Sequence, residues 1–217
     1  METVATEGGL VLRRRDDGSL ELRANGVFVM DTEETSTERE LATRALGLHG
    51  APHRVLVGGL GLGFTLEAVL ADPRVERCDV VEIEPALVRW MYDGTIPHGP
   101  ALLADRRAHI TVGDVAVALR ESPAAAYDVV LLDVDNGPGY LVHDANAALY
   151  EAPALEDARR TTAPGGTVVV WSAAEAPELA GEMRRVFGGV EELAYAVTLQ
   201  TRAESYWLYA ARVTSTA

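Results

Sequence analysis

The stretch RVLVGGLGLGFTLEAV, residues 54–69, decides the fold. It opens as a continuous apolar run, turns through Gly58, Gly59, Gly61 and Gly63, and resumes with Leu66, Val69 and Leu70 on one helical face. A Val-rich run without alternation marks a strand covered on both faces, as in a parallel sheet. Glycines between strand and helix permit a tight turn and a close approach of ligand to backbone. The same rhythm then repeats. CDVVEI (78–83), HITV (109–112), YDVVLLD (127–133) and GTVVVW (166–171) predict four further strands. Helical faces follow at Leu87, Val88 and Met91, at Val115 to Leu119, and at Leu179, Met183 and Val186 behind Pro177. Finally, VEELAYAVTL (190–199) and YWLYAARV (206–213) face each other across QTRAES and predict an antiparallel pair. Right-handed crossovers join such elements into an α/β, Rossmann-like domain. Its sheet is expected to be seven-stranded and mostly parallel, with a C-terminal antiparallel hairpin.

Upstream, Asp17-Gly18 and Asn25-Gly26 are turn dipeptides that separate LVLRRR, LELRA and VFVM. Leu20 and Leu22 alternate with Glu21 and Arg23, the period of a half-buried strand. These segments predict a short β meander, too thin to be stable alone, packed on the main domain or on a second subunit. Thr37-Glu-Arg-Glu40 has the spacing of a capping box and predicts a helix running to about Leu48. The expected division is an arm at residues 1–35 and a ligand-binding α/β domain at 36–217.

The bulk composition sets limits on function. The chain has 217 residues, 48% of them hydrophobic, enough for one full-sized core. A formal net charge of −14 repels phosphate backbones, which argues against nucleic acid as a partner. The single cysteine, Cys78, excludes a disulfide framework and a cysteine-rich zinc site. METVATEGGLVL lacks the basic start of a signal peptide, and no stretch approaches the ~18–20 apolar residues of a membrane span. The expectation is a soluble cytoplasmic protein with a small-molecule partner, no metal, and neither nucleic acid nor membrane as partner.

In doubly wound sheets the ligand lies outside the carboxyl ends of the strands, so the residues leaving each strand are the informative ones. The dinucleotide fingerprint would need a third glycine at Phe64. The sequence instead has Gly59-x-Gly61-x-Gly63, the spacing usual for S-adenosylmethionine (SAM) enzymes. Glu82 leaves the second strand, where a carboxylate can accept two strong bonds from ribose hydroxyls. Glu84 beyond it suits a helix N-cap. Asp114 leaves the third strand, either to accept from an adenine amino group or to cap the helix at Val115. Asp133 and Asp135 leave the fourth, as an amine or cation site or as an Asx-type turn. Either aspartate is a candidate base, and His143 in GYLVHDAN is another. Tyr140 and Tyr150 are candidates for shaping an acceptor pocket, with Tyr150 equally suited to the core. Trp171 walls the same pocket or packs with a partner on its indole N–H.

Together VLVGGLGLG, VVEIEP, VGD, YDVVLLDVDNGP, ALYEAP and APGGTVVVW resemble the spermidine synthase-like branch of the class I SAM-dependent transferases, over roughly residues 20–213. The resemblance implies SAM or decarboxylated SAM as the cofactor, held by Gly58, Gly59, Gly61, Gly63, Glu82, Asp114 and Asp133. It implies the glycines along the methionine-derived tail, Glu82 on the ribose and Asp114 at the adenine edge. Asp133 matches the carboxylate that helps deprotonate an attacking amine, and Asp135 lies near a second acidic position. A homodimer joined through the meander is also implied. Three departures stand out. The family usually carries an aspartate in the glycine loop, about where Gly61 stands. A family Tyr-His-Glu triplet is here Ser36-Thr37-Glu38, so only Glu38 is in place. The N-terminal arm is short. These departures place methyl transfer to a small molecule ahead of aminopropyl transfer, and both ahead of a non-catalytic adenosyl-binding relative.

Overall fold

Two sheets organise the computed structural model, which describes residues 1–199 and 202–214. The first is an antiparallel meander of β1 (Glu2–Glu7), β2 (Leu10–Arg14), β3 (Leu20–Ala24) and β4 (Val27–Asp31), in that order. The turn between β3 and β4 needs two left-handed residues, supplied by Asn25 at φ 51° and Gly26 at φ 81°. The sequence foresaw three of these strands. It missed β1, whose ETVATE carries too little apolar alternation to be read.

The second sheet holds β5 (Arg54–Gly58), β6 (Arg77–Glu82), β7 (Ala108–Val112), β8 (Tyr127–Leu132), β9 (Thr162–Ser172), β10 (Glu191–Leu199) and β11 (Arg202–Arg212). Their order is β10-β11-β9-β8-β5-β6-β7. The pairs among β5 to β9 are parallel, while β11 runs antiparallel to both β9 and β10. The expected Rossmann-like sheet with its antiparallel hairpin is therefore present. QTRAES is not a six-residue turn, because β11 already begins at Arg202; Gln200 and Thr201 lie outside the described residues.

The helices are α1 (Ser36–Gly47), α2 (Phe64–Ala71), α3 (Pro85–Asp93), α4 (Gly99–Leu103), α5 (Val115–Glu121), α6 (Ala152–Thr161) and α7 (Pro177–Phe187). They cover both faces of the large sheet, and the strand residues sort between two cores by alternation. Val55, Val57, Val129 and Leu131 join α1, α2 and α3. Leu56, Val130 and Leu132 join α5, α6 and α7 on the other face. Each such side chain, fully buried, contributes about 1.5–3 kcal/mol. Leu10, Leu12, Leu20 and Leu22 of the meander belong to the first core, so the small sheet rests on the large domain. The capping box is not realised. Helix α1 starts at Ser36, no side chain caps it, and Thr37 is buried inside its first turn.

Candidate active site

Because β5, β6, β7 and β8 are parallel, their last residues emerge at one edge of the sheet. A cleft of about 850 Å3, open to solvent, lies there. Gly59, Gly61, Glu82, Asp114, Asp133, Asp135 and His143 all line it, so the sequence-predicted residues converge, apart from Gly58 and Gly63 beneath the surface of the loop. Leu10, Leu22, Ala24, Val29 and Met30 of the meander form a facing wall.

The glycine loop holds its shape through its own amides. The Gly59 amide donates to Val81 O at 2.9 Å and the Gly63 amide to Leu60 O at 2.9 Å. The Leu60 amide donates to Glu82 Oε2 at 2.7 Å, and the Gly61 amide also acts on Glu82. The Leu62 amide donates to the thioether Sδ of Met30 at 3.2 Å. On the other side of that residue, His98 Nε2 meets Leu62 O at 2.6 Å. A phosphate cradle works by offering free backbone N–H groups. Here those of Gly59, Leu60, Leu62 and Gly63 are engaged within the protein, which disfavours a dinucleotide. One glycine is required by contact as well as by φ. A Cβ on Gly59, at φ 94°, would lie 2.0 Å from Asp133 O. A Cβ on Gly61, at φ 51°, would lie 2.7 Å from Met30 Sδ. Met30 thus takes the room that an aspartate at position 61 would need.

Glu82 is almost wholly buried, and its second oxygen accepts from the Glu84 amide at 2.8 Å. Burial raises its pKa and the loop amides oppose the rise. Its position at the end of β6, with one oxygen on each loop, leaves lone pairs for a ligand hydroxyl. Asp114 caps α5, accepting from the Ala116 amide at 2.8 Å, and lines the cleft at the same time. Glu84 makes no cap bond. It faces His143 Nε2 at 3.1 Å and ties the loop after β8 to the turn after β6.

Asp133 follows β8 and accepts from Thr65 Oγ1 at 2.6 Å. Burial pushes its pKa up to about 6, with the hydroxyl bond opposing and the Glu82 charge adding to the rise. Glu38, on the first turn of α1, is buried and accepts only from the Thr37 hydroxyl among side chains, at 3.1 Å. Its pKa rises to about 8, first through burial and then through the charge of Asp133. The two carboxylates form an unequal pair. Near neutral pH Asp133 is the ionised member and Glu38 holds a proton. Asp135 adopts φ 53° and accepts from Asn146 Nδ2 at 2.9 Å, with burial raising its pKa. This is the turn-like arrangement foreseen for it, and it still faces the cleft.

The aromatic expectations are met at Tyr150, which takes its core alternative, and corrected at Tyr140. Neither Tyr140 nor Tyr150 lines the cleft: Tyr140 projects to solvent, and the Tyr150 hydroxyl donates to Val134 O at 2.6 Å from within the core. Trp171 does line it, edge-on to Tyr206 at 4.9 Å between centroids, but its buried Nε1 has no partner. Sequence reasoning missed Met30, Val142 and Asn146, which line the cleft, and gave Glu38 no role. The only available signal was the placement of Glu38 in the triplet region.

No protein-family model matches the chain. Among curated proteins it is similar to polyamine aminopropyltransferase 2 of Streptomyces coelicolor, 34% identical over 164 residues, covering 71% of this chain and 27% of that protein. It is similar also to putrescine N-methyltransferase 3 of Nicotiana tabacum, 30% identical over 154 residues, covering 70% of this chain and 36% of that protein. The chain therefore spans well under half the length of these curated relatives. Among solved structures, a spermidine synthase in complex with the transition-state analogue AdoDATO superposes with TM-score 0.81 at 18% identity, covering 95% of this chain and 71% of that one. Spermidine synthase from Thermotoga maritima superposes with TM-score 0.78 at 17% identity, covering 95% and 70%. Its relatives in sequence and its neighbours in structure are spermidine synthase-like, and the chain carries their Rossmann-like class I fold.

Proposed function

We propose that the chain transfers a carbon group from an adenosyl sulfonium donor to a small amine. The observation that carries this reading is the unequal pair of Glu38 and Asp133 at the cleft. Two adjacent buried carboxylates repel each other and gain by sharing a cation, so an ammonium is the natural guest. The residues suited to the donor are Glu82 for ribose hydroxyls, Asp114 with Gly113 and Val115 for the base, and the loop at Gly59 and Gly61 for the tail. A sulfonium donor supplies an already activated carbon and leaves as a neutral thioether. The chain then has two tasks, alignment and proton removal. Alignment lowers barriers by up to ~7–11 kcal/mol at its best. Asp133, ionised above about pH 6, takes a proton from the bound ammonium so that the nitrogen lone pair is free to attack. Glu38, which gives up its own proton to solvent when an ammonium settles beside it, pairs with the positive charge during this transfer.

The transferred group depends on the donor's tail. The curated relatives include an aminopropyltransferase and putrescine N-methyltransferases. The missing loop aspartate supports methyl transfer from SAM. A second reading, aminopropyl transfer from decarboxylated SAM, is favoured by charge. Among the described residues, the lining has six carboxylates, at Glu38, Glu82, Glu84, Asp114, Asp133 and Asp135, and His143 as its basic member. Such a lining attracts an ammonium tail and repels a carboxylate.

The test is incubation of the chain with either donor and putrescine, with mass spectrometry of the amine. A product heavier by a methyl or an aminopropyl group supports the reading and names the group. Absence of product with both donors, while a thermal shift shows donor binding, leaves a binding protein and rejects transfer to that amine. A ligand at ~100 times its Kd adds about 2.7 kcal/mol of stability, which makes binding visible.

A further inference from the structure

The glycine loop leaves one amide weakly held. Backbone carbonyls hold the Gly59 and Gly63 amides, and the carboxyl of Glu82 holds the Leu60 amide and faces that of Gly61. The Leu62 amide has a thioether instead, 3.2 Å away. Sulfur of this kind is a weak acceptor. Met30 carries that sulfur on β4 and lines the cleft, so the bond lies at the cleft wall. Methionine has three rotatable bonds and moves readily. The Leu62 backbone does not follow it, because His98 Nε2 holds Leu62 O at 2.6 Å and the His98 ring stacks on Phe64 at 5.5 Å. The loop therefore has one N–H that a stronger acceptor can claim, at the expense of displacing Met30.

We infer that Met30 selects the tail of the donor: seated on the Leu62 amide and against Gly61, it admits a tail that carries an ammonium alone and opposes one that carries a carboxylate beside its ammonium. This inference rests on the donor-binding reading above and sides with its second form, transfer from decarboxylated SAM. A carboxylate tail meets Glu38, Glu82 and Asp133 around the loop, with the Leu62 amide as its available donor only after Met30 has left. An ammonium tail has no use for that amide, leaves Met30 in place and is drawn by the same carboxylates. Met30 is thus a specificity-determining side chain supplied by the meander rather than by the nucleoside-binding strands.

Calorimetric titration of the full chain with SAM, decarboxylated SAM and 5′-methylthioadenosine, which lacks a tail, tests this. The unaltered chain is expected to bind decarboxylated SAM at least about tenfold more tightly than SAM. Met30→Leu keeps the volume and removes the acceptor, so the amide becomes free for a carboxylate. It should narrow that preference by about tenfold and leave methylthioadenosine affinity unchanged. Met30→Gln offers the amide a stronger acceptor of similar length and should widen the preference, a check that stands if the leucine variant unfolds. A preference for SAM in the unaltered chain, or a ratio that neither variant moves, overturns the role of Met30 while donor binding stands. Failure of the unaltered chain to bind any of the three overturns the donor-binding reading itself, and the inference with it.

Discussion

Glu82 and Glu38 are the same residue type, both nearly buried and both at the lip of one cleft, yet their surroundings give them opposite characters. Glu82 stands at the end of β6 and is bonded by amides from both loops it touches. Glu38 stands on α1 with one hydroxyl for support and another carboxyl opposite. Amides from two loops oppose the rise that burial imposes on the Glu82 pKa and tie its carboxyl to the backbone. Glu38, supported by its own amide and the Thr37 hydroxyl but facing burial and the charge of Asp133, is driven up to about 8 and awaits a proton or a cation. The difference separates the cleft into a finished end, which suits a nucleoside, and a frustrated end, which suits an amine and its chemistry.

The change expected to have the largest effect strikes the frustrated end. Asp133→Asn removes the proposed base and should reduce turnover ~10²–10⁴-fold while donor affinity persists, measured by steady-state kinetics beside calorimetry. Intact turnover in that variant would move the chemistry away from β8. Next, Glu82→Gln presents an NH2 group where the loop amides need an acceptor. Bonds to a charged group contribute about 1.5–3 kcal/mol each, so donor Kd should weaken ~10–100-fold and thermal stability should fall. If the variant binds donor normally, the finished end is not built around this carboxylate.

Glu38→Gln should separate the two glutamates most clearly. It is expected to raise the KM of a diamine about tenfold, as a neutral amide loses a charge partner, and yet to stabilise the protein. The sign follows from linkage. Glu38 has a folded pKa of about 8 against an ordinary 4.5, so its stabilising contribution is full below 4.5 and is lost as pH rises to about 8. The glutamine variant should show a flatter Tm against pH and a higher Tm at pH 9, by about 2–4 °C for each kcal/mol of relieved strain. A parallel pair of Tm curves would refute this account of Glu38. The smallest effect belongs to Thr65→Val. Its hydroxyl bond lowers the pKa of Asp133, so its loss should move the acidic limb of the pH–rate profile upward from about 6, with little change in the plateau.

The finished end was legible in the sequence because each of its parts is local. Gly59, Glu82 and Asp114 all follow continuous apolar runs, and a strand's end fixes where the next residue must point. The capping alternative for Asp114 was visible too, since Val115 begins a helical face immediately behind it. The frustrated end was harder to read because it is assembled from distant segments. Met30 reaches Leu62 across 32 positions, and no spacing rule links a hairpin strand to a glycine loop. Asn146 reaches Asp135 from a 3-10 turn, Asp144–Tyr150, whose sequence has no strong periodicity. Helix α6 was overlooked for a similar reason: Leu155, Ala158 and Thr161 make a buried face with too little apolar contrast to stand out.

The meander strands pair only with one another, and no β ladder joins them to the large sheet. They still furnish the wall opposite the glycine loop. A segment with its own hydrogen-bond framework can be recut without reregistering the parallel strands of the large sheet. Swapping residues 1–31 between related chains, with Leu10, Leu12, Leu20 and Leu22 kept as the docking face, is therefore expected to recast the facing wall of the cleft and, through Met30, the choice of donor tail.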